Sequence, residues 1–242
     1  MTDVHPLGPL ARRWSRRSAL NDADRAALLA LPYTRRTFGK DAYVVREGEQ
    51  ATECSVLLQG MAFRQKLLRD GARQIISFHI PSEFVDLQNG VLGTADHSVQ
   101  SLNRSVFACI PRTALMELSD ARPALRAAMW IDTLIDASIF REWVVNVGRR
   151  DSRARIAHLL CELALRLKSI GASNGEEMFD FPVTQEQLAD ATGLTSVHTN
   201  RTLQSLRRDG LIQLTARSLT VLDWEGLRNA GDFDELYLHH AA

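Results

Sequence analysis

The sequence is poor in cysteine, has no long apolar run and carries no excess charge of either sign. Cys54, Cys109 and Cys161 are odd in number and far apart, which argues against a disulfide framework, a C-x-x-C zinc site and a four-thiolate iron–sulfur cluster. Reduced thiols of this kind favour a cytoplasmic location. No window approaches the roughly 18 consecutive apolar residues of a membrane span, so we expect no membrane partner.

The proportions of hydrophobic and charged residues are those of a globular protein. Its 242 residues are 45% hydrophobic and 24% charged, and this length favours two domains over one. Lys+Arg and Asp+Glu are equal at 29 each, so a surface for a polyanion must come from local clustering of basic residues.

Residues 34–111 have the texture of an antiparallel β domain. An amphipathic helix in "SALNDADRAALLALP" precedes them, and short β-rich runs such as "CSVLLQGMAFRQKLL" and "RQIISFHIP" follow one another with turns between them. The pair Asp70-Gly71 between those two runs is typical of a hairpin. Because no helix separates most of the runs, we expect a roll, barrel or sandwich.

Residues 112–147 are predicted to be helical, with a break near 121–123. The second part is apolar around nearly its whole circumference, and such a helix must be covered on all sides. The economical interpretation is that one side packs on the β domain and the other on a second copy, which gives a two-fold dimer. The alternative is a central helix buried within one subunit. The residues assigned to the dimer interface are Trp130, Ile131, Leu134, Ile135, Ile139 and Val145.

The polar segment "GRRDSRARI", residues 148–156, is the predicted domain boundary, with Asp151 placed to cap the next helix. Beyond it, Thr184 and Gln187 form a capping box that starts a short helix, and Gly193 supplies a turn. Thr195 can cap a second helix. The runs "LIQL" and "SLTVL", joined by the turn "TAR", predict a β-hairpin after it.

The second helix has two different faces. If Leu203 is at the centre of the inner face, Thr199 and Leu206 lie near it. The opposite, polar face carries Val197, Arg201, Gln204 and Arg208. An ordinary solvated face is one interpretation of such residues. Together, the caps, the glycine turn and the hairpin favour a helix-turn-helix whose second helix enters the major groove of DNA.

The stretch "VTQEQLADATGLTSVHTNRTLQSLRRDGLI" resembles the winged helix-turn-helix of the CRP/FNR family of bacterial transcription regulators. The similarity extends over nearly the whole chain, because "YVVREGE", "VLLQG" and "DGARQIISFHIPSEF" resemble the β-roll of that family. The resemblance implies an α+β fold: an N-terminal antiparallel β-roll like a cyclic-nucleotide-binding domain, a long dimerisation helix and a C-terminal winged helix-turn-helix. The implied domains are 1–120, 121–150 and 151–242.

The same resemblance implies a cytoplasmic homodimer, not an enzyme, that binds double-stranded DNA at a pseudo-palindromic operator. RNA polymerase is a further partner if the protein is an activator. The family's base-reading positions fall at Ser196, Val197, Asn200 and Arg201. The residues expected to contact DNA are Thr184, Thr195, Ser196, Val197, His198, Asn200, Arg201, Gln204 and Arg208.

The residues that align with the family's ligand-binding motif depart from the family pattern. Members that bind cyclic nucleotides carry F-G-E-L and, about ten residues later, R-S or R-T. The residues that align with this cassette are Phe84, Val85, Asp86, Leu87, His97 and Ser98, and the positions that touch the adenine fall near Phe140 and Arg141. We therefore expect a β-roll that does not bind cyclic nucleotides, so cyclic AMP is not the effector. No cofactor is assigned, and the identity of the small-molecule effector stays open.

Three alternatives remain at this stage. The protein could be a haem- or gas-sensing regulator with His79 or His97 as axial ligand. It could be a cyclic-nucleotide-responsive regulator in which neighbouring arginines rebuild the phosphate contact. Finally, His79, Asp86 and His97 could belong to a cupin-like metalloenzyme, although no H-x-H pair with a following Glu is present.

Overall fold

The computed structural model describes residues 5–173, 177–215 and 217–239. The chain divides into two compact units. The first contains the residues up to Lys66 and Phe78–Ala137, and the second contains Leu67–Ser77 and Ser138–His240. Within the described part of the chain, no helix is both long enough and apolar enough to cross a membrane.

The N-terminus forms two helices, α1 (Gly8–Arg17) and α2 (Asp22–Leu29). The sequence predicted only α2, which begins at a capping box between Asn21 and Asp24. Helix α1 buries Leu10 and Trp14 in the core of the first unit, where the Trp14 ring stacks on Phe84.

The β-roll predicted for residues 34–111 is present. Its strands are β1 (Thr34–Phe38), β2 (Tyr43–Val45), β3 (Glu53–Gln59), β4 (Ala62–Leu67), β5 (Arg73–His79), β6 (Ser98–Ser101) and β7 (Ser105–Pro111). They form sheets of order β1-β7-β3 and β2-β6-β4-β5. Strand β7 pairs antiparallel with β1 and β3, and β6 pairs antiparallel with β2 and β4. The sequence did not predict the short helix α3 (Leu87–Leu92).

The helical region also follows the prediction. Helix α4 (Arg112–Ala121) is followed by α5 (Pro123–Arg149), and the break lies at Arg122, where proline begins the next helix. Helix α6 (Ser152–Ser169) starts as expected, because the Asp151 carboxylate accepts a hydrogen bond from the Ala154 amide at 2.8 Å.

The remainder of the second unit contains β8 (Met178–Asp180), α7 (Gln185–Thr192), α8 (Ser196–Arg208), β9 (Ile212–Leu214), β10 (Ser218–Val221), α9 (Trp224–Ala230) and a 3-10 turn (Glu235–Leu238). Strands β9 and β10 form the predicted hairpin, and β8 adds a third strand in the order β8-β10-β9. The predicted turn at 215–217 includes Ala216, which lies outside the described residues. Helix α9 and the 3-10 turn were not predicted.

Candidate DNA interface and effector pocket

Short-range hydrogen bonds build the helix-turn-helix. The Thr184 hydroxyl accepts from the Gln187 amide at 3.2 Å, and the Gln187 side chain accepts from the Thr184 amide at 2.9 Å, so the capping box is complete. Gly193 adopts φ +63°, the left-handed conformation that ends α7. The Thr195 hydroxyl then accepts from the His198 amide at 3.3 Å and starts α8.

Helix α8 has the two faces that the sequence predicted. Thr199, Leu203 and Leu206 are buried. The expected DNA-contacting residues are all exposed: Thr184, Thr195, Ser196, Val197, His198, Asn200, Arg201, Gln204 and Arg208. We call the exposed residues of α8 together with its cap Thr195 the α8 face, whereas Thr184 caps the neighbouring helix α7.

The α8 face carries two arginines, Arg201 and Arg208, whose guanidinium groups are exposed to solvent. Among the described residues, neither Arg201 nor Arg208 forms an ion pair. Val197 is 61% exposed and offers only apolar contact. A guanidinium can donate two parallel hydrogen bonds to guanine O6 and N7, and a valine can contact a thymine methyl. The chemistry of this face therefore suits the major groove.

Two arginines near the start of α6 donate hydrogen bonds to the two helices of the helix-turn-helix. Arg153 donates to the Ser205 hydroxyl at 2.7 Å and pairs with Asp209, also at 2.7 Å. Arg155 donates to the Thr192 carbonyl at 3.1 Å. From the sequence, both arginines belong only to the polar domain boundary at residues 148–156. The sequence shows two arginines close together at the start of α6. It does not show their partners, because these lie far along the chain.

The aligned cassette is buried in the first unit. Phe84, Val85, Asp86, Leu87, His97 and Ser98 are each at most 8% exposed. The Asp86 carboxylate accepts from the Ser55 amide at 2.6 Å, and burial raises its pKa to about 7. A cavity of about 170 Å³ in the roll is lined by Asp86 but by no other cassette residue.

Arg64 on β4 is a buried cation that the sequence pattern does not predict. Its side chain is 2% exposed and pairs with Asp136 of α5. It also donates to the Val85 carbonyl at 2.8 Å and to the Gln88 side chain at 3.4 Å. The guanidinium beside the cassette is therefore already engaged by acceptors of the protein.

The two candidate histidines are neutral near pH 7. Burial and then the Arg64 charge lower the pKa of His79 to about 4 and also lower that of His97. His97 contacts the Asp96 carboxylate at 2.6 Å, and His79 lies 3.4 Å from Glu83. Neither histidine lines the cavity. Among the described residues, no group of three His, Cys, Asp or Glu side chains could hold a metal ion.

The exposed side of α5 differs in part from the predicted interface. Trp130, Leu134 and Val145 are 67%, 58% and 45% exposed, and the helical rotation of ~100° per residue places them within about 60° of one another. Ile135 and Ile139 lie on the opposite side and are only 6% and 8% exposed, because their own chain covers them. The exposed side of α5 is therefore the side available to a second copy, and the assignment of Ile135 and Ile139 to a dimer interface stays a prediction. Ile131, at the edge, is half-buried.

Phe140 and Arg141 align with the positions that touch the adenine in members that bind cyclic nucleotides. Both belong to the second unit, whereas the cassette belongs to the first. Phe140 is half-buried and Arg141 is exposed.

Comparisons with known proteins now give the family. Residues 154–230 match the model of the Crp-like helix-turn-helix domain, and residues 35–122 match that of the cyclic nucleotide-binding domain. The chain is 29% identical to the transcriptional activator protein FnrL of Cereibacter sphaeroides over 235 residues, which cover 96% of this chain and 94% of FnrL. The chain is a DNA-binding regulator of the CRP/FNR type.

Two further comparisons extend the similarity over most of the chain. The nitrogen fixation regulation protein FixK of Azorhizobium caulinodans is 25% identical over 93% of this chain and 91% of its own length. The solved structure of FixK2 from Bradyrhizobium japonicum superposes with a TM-score of 0.76 at 23% identity, covering 83% of this chain and 98% of that one, which shows the common fold. CRP/FNR proteins are transcription regulators, so this chain is a DNA-binding regulator, and the metalloenzyme alternative was wrong.

The ion pair between Arg64 and Asp136 could not be predicted from the resemblance to the CRP/FNR family. A signal was present in α5, where Asp132 and Asp136 are four residues apart in a largely apolar helix and therefore on one face. Acidic residues in such a position require cations nearby. Asp132 pairs with Arg13 and Arg17 of α1 at 2.6 and 3.3 Å, and Asp136 pairs with Arg64.

Proposed function

We propose that the protein binds a pseudo-palindromic operator as a homodimer, with one recognition helix in each half-site. The exposed apolar side of α5 supports the dimer, because Trp130, Leu134 and Val145 form a stripe that a monomer leaves in water. A two-fold dimer presents two copies of the α8 face, and half-sites about one helical turn apart match that symmetry.

Within each half-site, we assign base contacts to Ser196, Val197, Asn200 and Arg201. The observation that carries this assignment is the exposed guanidinium of Arg201 on the outer face of α8, which forms no ion pair with any residue that the structure describes. His198, Gln204 and Arg208 extend the same face. Thr184 and Thr195 cap the N-termini of α7 and α8, and we assign them contacts to phosphates because helix N-termini bind such groups.

For the effector, we propose that cyclic AMP does not fill this role. Val85 places a β-branched side chain where the family cassette has glycine, and the Asp86 carboxylate is directed to a backbone amide of β3. The neutral imidazole of His97 replaces the cassette arginine, and Arg64 is neutralised by Asp136. An incoming cyclic phosphate therefore meets no free guanidinium in this cassette.

The relatives suggest further partners. FnrL is named a transcriptional activator, and we propose that this protein likewise acts through RNA polymerase, in the cytoplasm, where both DNA and polymerase are found. Haem sensing through His79 or His97 receives no support from the geometry, since both imidazoles are occupied by neighbouring side chains and lie away from the cavity.

The decisive experiment selects genomic fragments with the purified protein and tests the recovered site with Arg201→Ala. We expect a symmetric site, and we expect the variant to bind it more weakly by roughly 1–3 kcal/mol and to lose discrimination at one base of each half-site. Arg104→Ala, which removes an exposed arginine of the first unit, is the matched control and should bind normally. Recovery of only asymmetric fragments, or an Arg201→Ala variant that keeps full base discrimination, refutes the proposal.

A further inference from the structure

The C-terminal segment beyond residue 230 lies outside the family match, yet it is packed into the second unit. Its 3-10 turn is capped by Asp234, whose side chain accepts from the Leu236 amide at 2.9 Å. The Tyr237 ring stacks on His158 of α6, with ring centres 5.7 Å apart and planes 16° apart. Leu238 is buried. The segment therefore covers α6 through specific side chains.

The hydroxyl of Tyr237 reaches a carboxylate that is completely buried. Glu162 of α6 is 0% exposed, and its two oxygens accept hydrogen bonds from three different elements. The Tyr237 hydroxyl donates at 2.9 Å, the Trp143 indole of α5 donates at 2.9 Å, and Arg166 of α6 donates at 2.8 Å. A buried carboxylate is costly unless it is fully hydrogen-bonded, so these donors act together.

This carboxylate lies at the junction between the end of α5 and the start of the DNA-binding domain. Two further contacts close the same junction: Asn146 donates to the Arg155 carbonyl at 3.2 Å, and Arg150 pairs with Glu142 at 2.7 Å. The sequence predicts residues 148–156 only as a polar domain boundary. In the structure, side chains from both flanking helices and from the C-terminal segment cross-link it.

We propose that Tyr237 and Glu162 are positioning residues for DNA binding, because their hydrogen bond fixes the angle between the last turns of α5 and the DNA-binding domain. This inference rests on the proposed dimeric operator binding. In a two-fold dimer, any change of that angle occurs in both subunits and alters the separation of the two α8 faces. The separation must match the half-site spacing, so these residues set the spacing that the protein prefers.

The test compares the wild-type protein with Tyr237→Phe on three operators: the selected site and versions with one base pair added or removed between the half-sites. We expect the wild-type protein to prefer the original spacing. We expect Tyr237→Phe to bind the original site about tenfold more weakly and to lose most of this preference, because a hydrogen bond to a charged group contributes about this factor or more. Tyr33→Phe, which removes a tyrosine hydroxyl in the first unit, is the matched control.

A second variant and a spectroscopic signal separate positioning from simple loss of stability. Trp143→Phe removes another donor to Glu162, and its effect on spacing preference should be less than additive with that of Tyr237→Phe. The Trp143 indole N–H resonance, assigned by its absence in Trp143→Phe, should move in Tyr237→Phe but not in Tyr33→Phe. The thermal midpoint of each variant reports folding independently.

The outcomes are distinct. Loss of spacing preference in a folded Tyr237→Phe variant supports the inference. Equal weakening on all three operators, or unchanged binding, overturns it while leaving the proposed operator binding intact. Failure of the wild-type protein to bind any symmetric site overturns the proposed function itself, and with it the assigned role of Tyr237, whatever the indole resonance shows.

Discussion

Replacement of Asp86 by asparagine should stabilise the first unit above neutral pH. Burial raises the Asp86 pKa from 3.8 to about 7, so between these values the folded protein holds a proton that the unfolded chain releases. Its stability contribution is present at low pH and is lost as pH rises through about 7. At ~1.4 kcal/mol per pKa unit, the ionised carboxylate costs up to about 4 kcal/mol. Asp86→Asn removes this cost, and the amide oxygen can still accept from the Ser55 amide.

His79 gives the opposite pH dependence in the same unit. Its pKa falls from 6.5 to about 4, so the folded state favours the neutral ring. The resulting stability is present above pH 6.5 and is lost as pH falls toward 4, by about 3 kcal/mol on the same scale. In the wild-type protein the two slopes oppose one another between pH 4 and 6.5. In Asp86→Asn the histidine slope remains, and stability should fall clearly with acidification.

The assay is urea unfolding at pH 5, 6.5 and 8, followed by pulsed hydrogen exchange of peptides from β3 and β7, which isolates the first unit. Asp96→Asn, at a side chain that is 75% exposed, is the control. The reasoning is refuted if Asp86→Asn is less stable than the wild-type protein at pH 8. It is also refuted if both proteins show the same pH dependence.

Two further predictions concern assembly and the effector. Leu134→Glu and Val145→Glu should dissociate the dimer in analytical ultracentrifugation, because an unpaired charge buried at an interface costs several kcal/mol. Leu222→Glu, at an exposed leucine outside α5, should not dissociate it, and two fully dimeric α5 variants would move the interface elsewhere. Isothermal titration of ligand-free protein with cyclic AMP or cyclic GMP should show no micromolar binding. Micromolar binding that Asp86→Ala and His97→Ala abolish contradicts the cassette argument.

Local signals in the sequence were sufficient for the DNA-binding half. The capping box of Thr184 and Gln187, the Asp151 cap and the Gly193 turn each depend on residues within four positions, and all are present. The inner and outer faces of α8 follow from helical periodicity alone. The hairpin of β9 and β10 was equally local.

Long-range pairings were not accessible in the same way. The partner of Arg64 is 72 positions away, and the partner of Arg13 is 119 positions away, so neither charge could be assigned from its neighbours. Helix α5 is apolar around most of its circumference, and its pattern could not tell which side faces its own chain. The assignment of Ile135 and Ile139 to the interface depended on that pattern alone.

The position of Tyr237 also bears on how the protein can be divided for study. A fragment that ends at residue 230, where the family match stops, loses the ring that covers His158 and one of the donors to Glu162. Such a fragment keeps the whole recognition helix while exposing a polar cluster that the intact chain encloses. Isolated DNA-binding domains of this protein should therefore extend through residue 239, and those that do not will report the behaviour of a loosened domain.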